Sequence, residues 1–139
     1  TGPRWHRSEV FSNGSGPADR FFQIDQQHYM GASGAIDDLI NHSCNPNAGL
    51  RFADGAIYLV AIRPIARGEE ICWDYSTTAS QSAFWMRCAC GAEQCRGVIG
   101  DFEFLEEPLK QRYRALELVP PYLREPVEPS LRHADIGAM

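Results

Sequence analysis

The sequence predicts a mostly β domain with little helix, and three features support that class. Its apolar stretches are short and are separated by residues typical of turns. One Asp-Gly pair, Asp54-Gly55, stands between two such stretches and supplies the positive φ angles of a two-residue hairpin loop. A helical period is present only near the carboxyl end. At 139 residues the chain has a size suited to one domain.

The amino-terminal part predicts little regular structure. Residues 1–19 are expected to be loose, because residues 12–17 are rich in the types that end helices and strands. A short strand is predicted over residues 21–25, and at most one or two helical turns over residues 35–40.

The middle of the chain predicts a hairpin and then one more strand. Residues 50–52 and 57–62 are its two strands, with Asp54-Gly55 as the turn. A further strand is predicted from Glu70 to Asp74.

The carboxyl-terminal part predicts one helix. Leu109, Tyr113 and Leu116 repeat at helical spacing on one face. The helix is expected to stop at Pro120-Pro121, and residues 125–139 are expected to form a flexible tail.

Composition limits the functions that the domain can have. The net charge is −5, which disfavours nonspecific binding to nucleic acid and leaves room for a cationic, lysine-bearing partner. No apolar run approaches the roughly 20 residues that span a bilayer, so no membrane association is expected. The five cysteines, three of them within eight positions, favour metal binding over a disulfide scaffold and indicate a reducing intracellular compartment, cytoplasmic or nuclear.

The cysteine spacing predicts a zinc site. Cys88, Cys90 and Cys95 lie within reach of one tetrahedral ion, and structural Zn²⁺ takes four thiolate or imidazole ligands. Spacing alone leaves the fourth ligand open between Cys44, Cys72 and a histidine. The competing interpretation, an oxidised pair with free thiols, is disfavoured by the tight, glycine-containing loop.

Three motifs follow one another at characteristic distances. They are Asn-His-Ser-Cys-Asn-Pro-Asn at 41–47, Gly-Glu-Glu-Ile-Cys-Trp-Asp-Tyr at 68–75, and Cys-Ala-Cys-Gly-Ala-Glu-Gln-Cys-Arg-Gly at 88–97. In this order they resemble the SET-domain protein lysine methyltransferases with a post-SET zinc segment, over roughly residues 20–100. The resemblance implies a SET-domain, β-clip-like fold of short sheets with a threaded (pseudoknot) segment, plus one C-terminal helix.

The resemblance also implies roles for individual residues. Asn41 and His42 would contact the cofactor S-adenosylmethionine through backbone and amide groups, and Tyr75 would be the catalytic residue that positions the lysine amine. Cys44 would be the fourth zinc ligand. Without the resemblance, residues 41–47 would be a polar structural turn, and Tyr75 a half-buried aromatic whose hydroxyl bonds to the backbone.

Two aromatic residues are expected to line the substrate channel. Trp73 lies two positions before Tyr75, so on a strand both side chains would share one face. Relatives commonly have Phe or Tyr at the position of Trp73, so the number of methyl groups that fit stays open. Phe22 would line the channel as well, with core packing as its alternative use. Cys72 is expected to be a small buried residue and not a ligand.

The resemblance divides the chain into three parts. Residues 1–77 match the carboxyl-terminal portion of a SET domain, residues 85–101 a post-SET zinc-binding segment, and residues 102–139 a helix with a flexible tail. The family's early Gly-x-Gly motif is expected to precede residue 1, because Gly14-Ser15-Gly16 is predicted to be a loop.

The leading hypothesis is therefore S-adenosylmethionine-dependent transfer of a methyl group to a lysine side chain of a histone-like or other basic protein. The alternative is a noncatalytic, zinc-stabilised module that binds a peptide without modifying it. A zinc-containing nucleic-acid binder is the weakest hypothesis, since the sequence has no basic stripe.

Overall fold

The computed structural model of the protein describes residues 2–12, 21–81 and 85–124. Its strands are β1 (Arg4–His6), β2 (Phe22–Gln23), β3 (His28–Met30), β4 (Asn41–His42), β5 (Ala48–Ala53), β6 (Ala56–Ala61), β7 (Cys72–Trp73), β8 (Met86–Arg87) and β9 (Val98–Ile99). Its α-helices are α1 (Arg7–Ser12), α2 (Glu107–Ala115) and α3 (Pro121–Arg124). Turns of 3-10 helix cover Ile36–Leu39, Tyr75–Thr77 and Phe102–Phe104.

The strands of the described residues form four small sheets. β1, β3 and β2 form an antiparallel sheet in that order, and β5–β6 and β8–β9 are antiparallel pairs. β4 and β7 pair in parallel, with Asn41 opposite Cys72 and His42 opposite Trp73. The predicted class, mostly β with little helix, is confirmed.

The hairpin of β5 and β6 is the longest ladder in the described part of the chain. Its register runs from the pair Ala48–Ala61 to the pair Ala53–Ala56. Asp54 and Gly55 have φ of 52° and 74°, the left-handed backbone of a type I′ turn. The predicted hairpin and its turn are confirmed, and β5 extends beyond the predicted residues 50–52.

The first residues are structured, so the prediction that residues 1–19 are loose is wrong where the structure describes them. β1 pairs with β3, and the N–H of Gly31 donates to the carbonyl of Pro3 at 2.8 Å. This pairing joins segments that are distant in sequence, which local turn propensity does not report. The predicted loop Gly14-Ser15-Gly16 and the predicted tail over 125–139 lie outside the described residues.

β7 is shorter than the strand predicted from Glu70 to Asp74. It ends at Trp73, because Asp74 begins a turn of 3-10 helix and caps it. The Asp74 carboxylate accepts the N–H of Ser76 at 3.0 Å. Tyr75 therefore lies at the first position of this turn and not on the strand.

The predicted carboxyl-terminal helix is α2, and it carries the buried Tyr113. It ends in a Schellman motif and not at Pro120-Pro121 as predicted: the N–H of Leu118 donates to the carbonyl of Tyr113 at 3.0 Å, and Glu117 has φ of 60°. Pro121 instead begins α3, where its missing N–H is not needed. None of the helices among the described residues has the length and apolar character that crossing a bilayer requires.

The main apolar core lies between α2, the segments on either side of it and β6. Its buried members are Phe102, Leu105, Tyr113, Leu118 and Val119. Val60 and Ile62 pack against it. Gly49 of β5 permits this close approach, since a Cβ there would come within 2.6 Å of the Leu118 side chain. The carboxyl-terminal segment thus supplies a large part of the buried apolar surface that stabilises the fold.

Candidate active site and cysteine cluster

The candidate site forms where β4 meets β7. Residues 41–47, which carry the first motif, lie against the second motif because the two strands pair in parallel. Asn47 fixes this contact: its amide donates to the carbonyl of Glu70 at 2.8 Å and accepts the N–H of Cys72 at 3.0 Å. Asn47 is 1% exposed, so loss of these partners would cost about 1–3 kcal/mol.

Two carboxylates reinforce the same contact. Glu69 accepts hydrogen bonds from Asn47 and Arg63, both at 2.9 Å. Glu70 accepts one from Nδ2 of Asn41 at 2.8 Å. The hydrogen bonds that Glu69 accepts, first of all the one from Asn47, lower the pKa of Glu69 to about 2. Both carboxylates therefore help to hold the first motif against the second.

His42 is held in one orientation by its neighbours. Its side chain is 5% exposed, Nδ1 accepts the N–H of Tyr75 at 3.0 Å, and Nε2 lies 3.3 Å from Sγ of Cys44. In a neutral ring, an accepting Nδ1 leaves the proton on Nε2, directed at the Cys44 sulfur. Burial lowers the pKa of His42 to about 4 against the opposing effect of Asp74, so the ring is neutral near pH 7. Both ring nitrogens of His42 are thus engaged by neighbouring groups of the chain.

Tyr75 is anchored at both ends to the first motif and the residue before it. Its N–H bonds to His42, as above, and its hydroxyl donates to the carbonyl of Ile40 at 2.6 Å. Its ring centroid lies 5.3 Å from that of His42 and 4.8 Å from that of Trp73. Because the hydroxyl proton is engaged by Ile40, a further group can use the oxygen only as an acceptor.

An apolar cavity of about 200 Å³ opens beside Tyr75. Phe22 and Trp73 line it, and their rings pack edge to face with centroids 6.0 Å apart. Trp73 is 7% exposed, so it is both a wall of the cavity and part of the buried interior. Further apolar and aromatic lining residues are Phe21, Tyr29, Ile40, Leu50, Ile57 and Leu59. The two predicted channel residues therefore lie with Tyr75 around one cavity.

Two aspartates add negative charge to the wall of this cavity. Asp37 and Asp38 both line it. Asp38 accepts the N–H groups of Ser33 and Gly34 at 2.8 and 2.7 Å, which fixes its carboxylate in place. A cationic ligand would gain from this charge.

Four cysteines meet at one point of the structure. The Sγ atoms of Cys44, Cys88, Cys90 and Cys95 all lie within 4.8 Å of one another. All five cysteines are free thiols. Among the described residues, Cys72 lies outside the cluster, so Cys44 is the fourth member where spacing alone left the choice open. The cluster could hold a metal ion, and four thiolates are a donor set that suits zinc.

Hydrogen bonds around the sulfur atoms prepare the cluster for a cation. The N–H of Cys44 donates to Sγ of Cys90, and the N–H of Arg96 donates to Sγ of Cys44, both at 3.4 Å. Burial alone would raise the pKa of Cys90, but hydrogen bonds, beginning with that from Cys44, lower it to about 6. Burial raises the pKa of Cys88 to about 12. Metal binding would release the protons that the thiols carry.

Asp74 joins three parts of the chain beside Tyr75. Its carboxylate is buried, with 1% exposure, and accepts two N–H groups of Arg96 at 2.8 Å each. It also accepts the hydroxyl of Tyr113 at 2.7 Å. Since Arg96 follows Cys95 and Tyr113 belongs to α2, one carboxylate connects β7, the cysteine loop and the helix. The paired and bonded geometry offsets the cost of burying the charge.

Sequence reasoning does not single out Asp74, Arg96 or Asn47 as site residues. One signal could have indicated the first of them. A carboxylate that lies between Trp73 and Tyr75 at the end of an apolar strand must either reach solvent or find buried partners. Arg96, within the cysteine motif, carries the opposite charge and could be that partner. Its distance from Asp74 in sequence, however, gives no indication that the two side chains are in contact.

Comparison with known proteins yields one family and several relatives. A family model described as SET domain matches residues 4–76. The chain is 34% identical over 115 residues to "Histone-lysine N-methyltransferase TRX1" of Oryza sativa subsp. japonica. The matched region covers 78% of this chain and 11% of that protein. It is 34% identical over 96 residues to the human "Histone-lysine N-methyltransferase 2B", covering 65% and 4%. Over 68 residues it is 38% identical to "Probable histone-lysine N-methyltransferase set-23" of Caenorhabditis elegans, covering 45% and 28%.

These relatives are much longer than the region they share with the chain, which spans between 4% and 28% of the three proteins. The family match, in contrast, extends over more than half of the 139 residues. It includes β4, β7 and the anchored Tyr75, and it ends at Ser76. The chain belongs to the SET-domain family.

Proposed function

We propose that the protein transfers a methyl group from S-adenosylmethionine to the amine of a lysine side chain in a histone-like or other basic protein. The observation that carries the proposal is the hydroxyl of Tyr75, which the carbonyl of Ile40 holds beside an apolar cavity. Family membership and the names of the relatives, histone-lysine N-methyltransferases, support the same reaction.

The cavity has the properties that the reaction needs. Methyl transfer to an amine is an in-line displacement, so alignment of nitrogen, carbon and sulfur supplies much of the lowering of the barrier. Lysine has an ordinary pKa of ~10.4 and must lose a proton before it can attack. The apolar walls formed by Phe22 and Trp73 disfavour the ammonium form and promote that loss, against the opposing effect of the carboxylates of Asp37 and Asp38. Tyr75 accepts a hydrogen bond from the neutral amine and so orients its lone pair.

S-adenosylmethionine supplies the methyl group when bound, and we assign Asn41 and His42 to its binding. Nδ2 of Asn41 is engaged by Glu70 and the imidazole of His42 by its two neighbours, so the contact would come from the amide oxygen of Asn41 and the backbone of His42. The N–H of Ser43 bonds to the carbonyl of Trp73 at 3.1 Å in the parallel ladder. Because alternate residues of a strand direct their peptide groups to opposite sides, those of His42 face away from β7. The residues present fit a role of this kind.

Zinc fits the cysteine cluster as a structural ion. The donor set of Cys44, Cys88, Cys90 and Cys95 is closed at four thiols, which is typical of structural and not of catalytic zinc. The ion would tie residues 85–101 to the first motif. Free thiols in this number favour a reducing compartment, cytoplasmic or nuclear, as the place of action.

The three predicted parts of the chain act as one catalytic unit in this proposal. Residues 1–77 supply most of the cavity lining, to which Thr78 and Ala79 also belong, residues 85–101 the cysteine loop, and residues 102–139 the helix α2. The hydrogen bonds of Asp74 to Arg96 and Tyr113 support the unit, since they join all three parts.

Transfer of a labelled methyl group from S-adenosylmethionine to a mixture of basic proteins tests the reaction. The protein assayed should include any residues that precede Thr1 in its gene. Tyr75→Phe is expected to lower turnover about 100-fold, because the amine loses the oxygen that orients it. Circular dichroism and zinc content should stay unchanged. Tyr58→Phe, at an exposed position of β6, is the matched control and should keep full turnover.

Two results would contradict the proposal. Full turnover by Tyr75→Phe would remove Tyr75 from the mechanism. Absence of transfer to any basic protein, together with no heat of S-adenosylmethionine binding in calorimetry, would leave the noncatalytic peptide-binding module as the function.

Metal analysis tests the cysteine cluster separately. It should give about one Zn²⁺ per chain, and chelation should increase hydrogen exchange first in residues 85–101. Cys90→Ser should lose the metal, whereas Cys72→Ser, outside the cluster, should retain it. A metal-free protein with a disulfide between Cys88 and Cys95 would end the assignment.

A further inference from the structure

We propose that Arg96 is a positioning residue for methyl transfer, which transmits the state of the cysteine cluster to Tyr75 through Asp74. The inference rests on the role proposed above for Tyr75. Its structural basis is a continuous series of short contacts from the cluster to the cavity.

The first step joins Arg96 to the cluster. Its backbone N–H donates to Sγ of Cys44 at 3.4 Å, and it directly follows Cys95. The next residue, Gly97, has φ of 77°, and its carbonyl accepts the N–H of Cys88 at 2.9 Å. The backbone of Arg96 is thus part of the loop that encloses the thiols, so a change in their arrangement moves the origin of its side chain.

The second step joins Arg96 to Asp74. The two terminal nitrogens of the guanidinium donate to the two carboxylate oxygens, each at 2.8 Å, and one of them also donates to the hydroxyl of Ser76 at 3.2 Å. The Asp74 side chain has no exposed surface and that of Arg96 is 22% exposed. A planar fork fixes the orientation of the carboxylate, and a lysine would supply the charge without the fork.

The third step joins Asp74 to Tyr75. The same carboxylate accepts the N–H of Ser76, which caps the 3-10 turn that begins at Tyr75. The carbonyl of Asp74 accepts the N–H of Thr77 at 3.0 Å, so Asp74 holds the turn by both its side chain and its backbone. Rotation of the carboxylate would open the cap and displace Tyr75. A displacement of about 1 Å at a reacting centre can cost roughly 100-fold in rate.

A purely structural ion pair would produce a different result from a positioning residue. It would change the stability of the fold and leave the environment of Tyr75 as it is. The distinguishing measurement is therefore one that reports on Tyr75 itself. Incorporation of 3-fluorotyrosine gives each of the five tyrosines a fluorine resonance, and the one lost in Tyr75→Phe identifies Tyr75.

Arg96→Lys is the test variant, and Arg87→Lys is its control at an exposed position of β8. In Arg96→Lys the Tyr75 resonance should move, and kcat for a basic protein substrate should fall about 10-fold or more. The KM for that substrate should change less than about twofold, because Arg96 acts through Tyr75 and not on the substrate. Zinc should remain at one ion per chain. Arg87→Lys should leave all four quantities unchanged.

Chelation of the metal provides a second test that needs no methyl transfer. In the wild-type protein it should move the Tyr75 resonance, and in Arg96→Lys it should move that resonance less. If chelation moves the Tyr75 resonance but the protein has no turnover, the proposed reaction is refuted. The connection between the cysteine cluster and Tyr75 would still stand.

Three results would overturn the inference. Arg96→Lys with unchanged kcat and an unmoved Tyr75 resonance is the first. Loss of zinc from Arg96→Lys is the second, because Arg96 would then serve only the metal site. The third is a Tyr75 resonance of the wild-type protein that does not respond to chelation. This measurement tests the inference even if Arg96→Lys does not fold.

Discussion

Replacing Tyr113 by phenylalanine should destabilise the domain by about 1.5 kcal/mol. The hydroxyl of Tyr113 donates to Oδ2 of Asp74 at 2.7 Å, and both residues are 1% exposed. Burial raises the pKa of Tyr113, so the hydroxyl keeps its proton. A hydrogen bond to a charged group contributes about 1.5–3 kcal/mol. The lower value applies because Oδ2 still accepts an N–H of Arg96 at 2.8 Å, and no buried acceptor is left without a donor.

Denaturant unfolding of the zinc-loaded protein measures this difference. The midpoint should fall while the slope stays unchanged, and the melting temperature should fall by roughly 3–6 °C. Tyr58→Phe, 49% exposed, is the control and should change stability by less than about 0.5 kcal/mol. A loss for Tyr113→Phe no greater than that of the control would refute the hydroxyl as a stabilising partner of Asp74.

Two further predictions concern a strained residue and a charged one. Glu117→Gly should stabilise the protein by about 0.5–1 kcal/mol. A non-glycine residue with φ of 60° costs about 1–2 kcal/mol in backbone strain, and the greater freedom of glycine in the unfolded chain offsets part of the relief of that strain. Glu117→Ala keeps the strained backbone and should bring no such gain in thermal unfolding. The pKa of Glu69 is lowered to about 2 from an ordinary 4.5, so its carboxylate stabilises the fold fully above the ordinary value and less as the pH falls toward the lowered one. The difference in melting temperature between the wild type and Glu69→Gln should therefore shrink over that interval, and a difference independent of pH would exclude the effect.

The sequence predicts those features that depend on neighbouring residues. Asp54-Gly55 indicates the hairpin because the turn needs only the backbone freedom of two adjacent residues. Cys88, Cys90 and Cys95 indicate a metal site because they lie within eight positions. Cys44 is far from them in sequence, so its place in the cluster was predicted from the family resemblance and not from spacing.

The features that sequence reasoning did not predict depend on distant contacts. β1 was expected to be loose because its pairing with β3 across a turn-rich segment leaves no local pattern. The end of α2 was misplaced because Glu117, and not the usual glycine, takes the left-handed position. The ion pair of Asp74 and Arg96 becomes recognisable only when burial of both side chains is known, since exposed charges need no partner.

The parallel pairing of β4 with β7 has a consequence for the order of folding. The β5–β6 hairpin lies between the two strands in sequence, so their contact closes a loop that contains the whole hairpin. Loop closure costs entropy before the contact offsets it, and the hairpin is therefore able to form early while the strand contact forms late. Until that last step Tyr75 has neither His42 nor Ile40 as an anchor. A slight local opening of this contact, too small to disturb the hairpin, would thus release Tyr75 from both anchors.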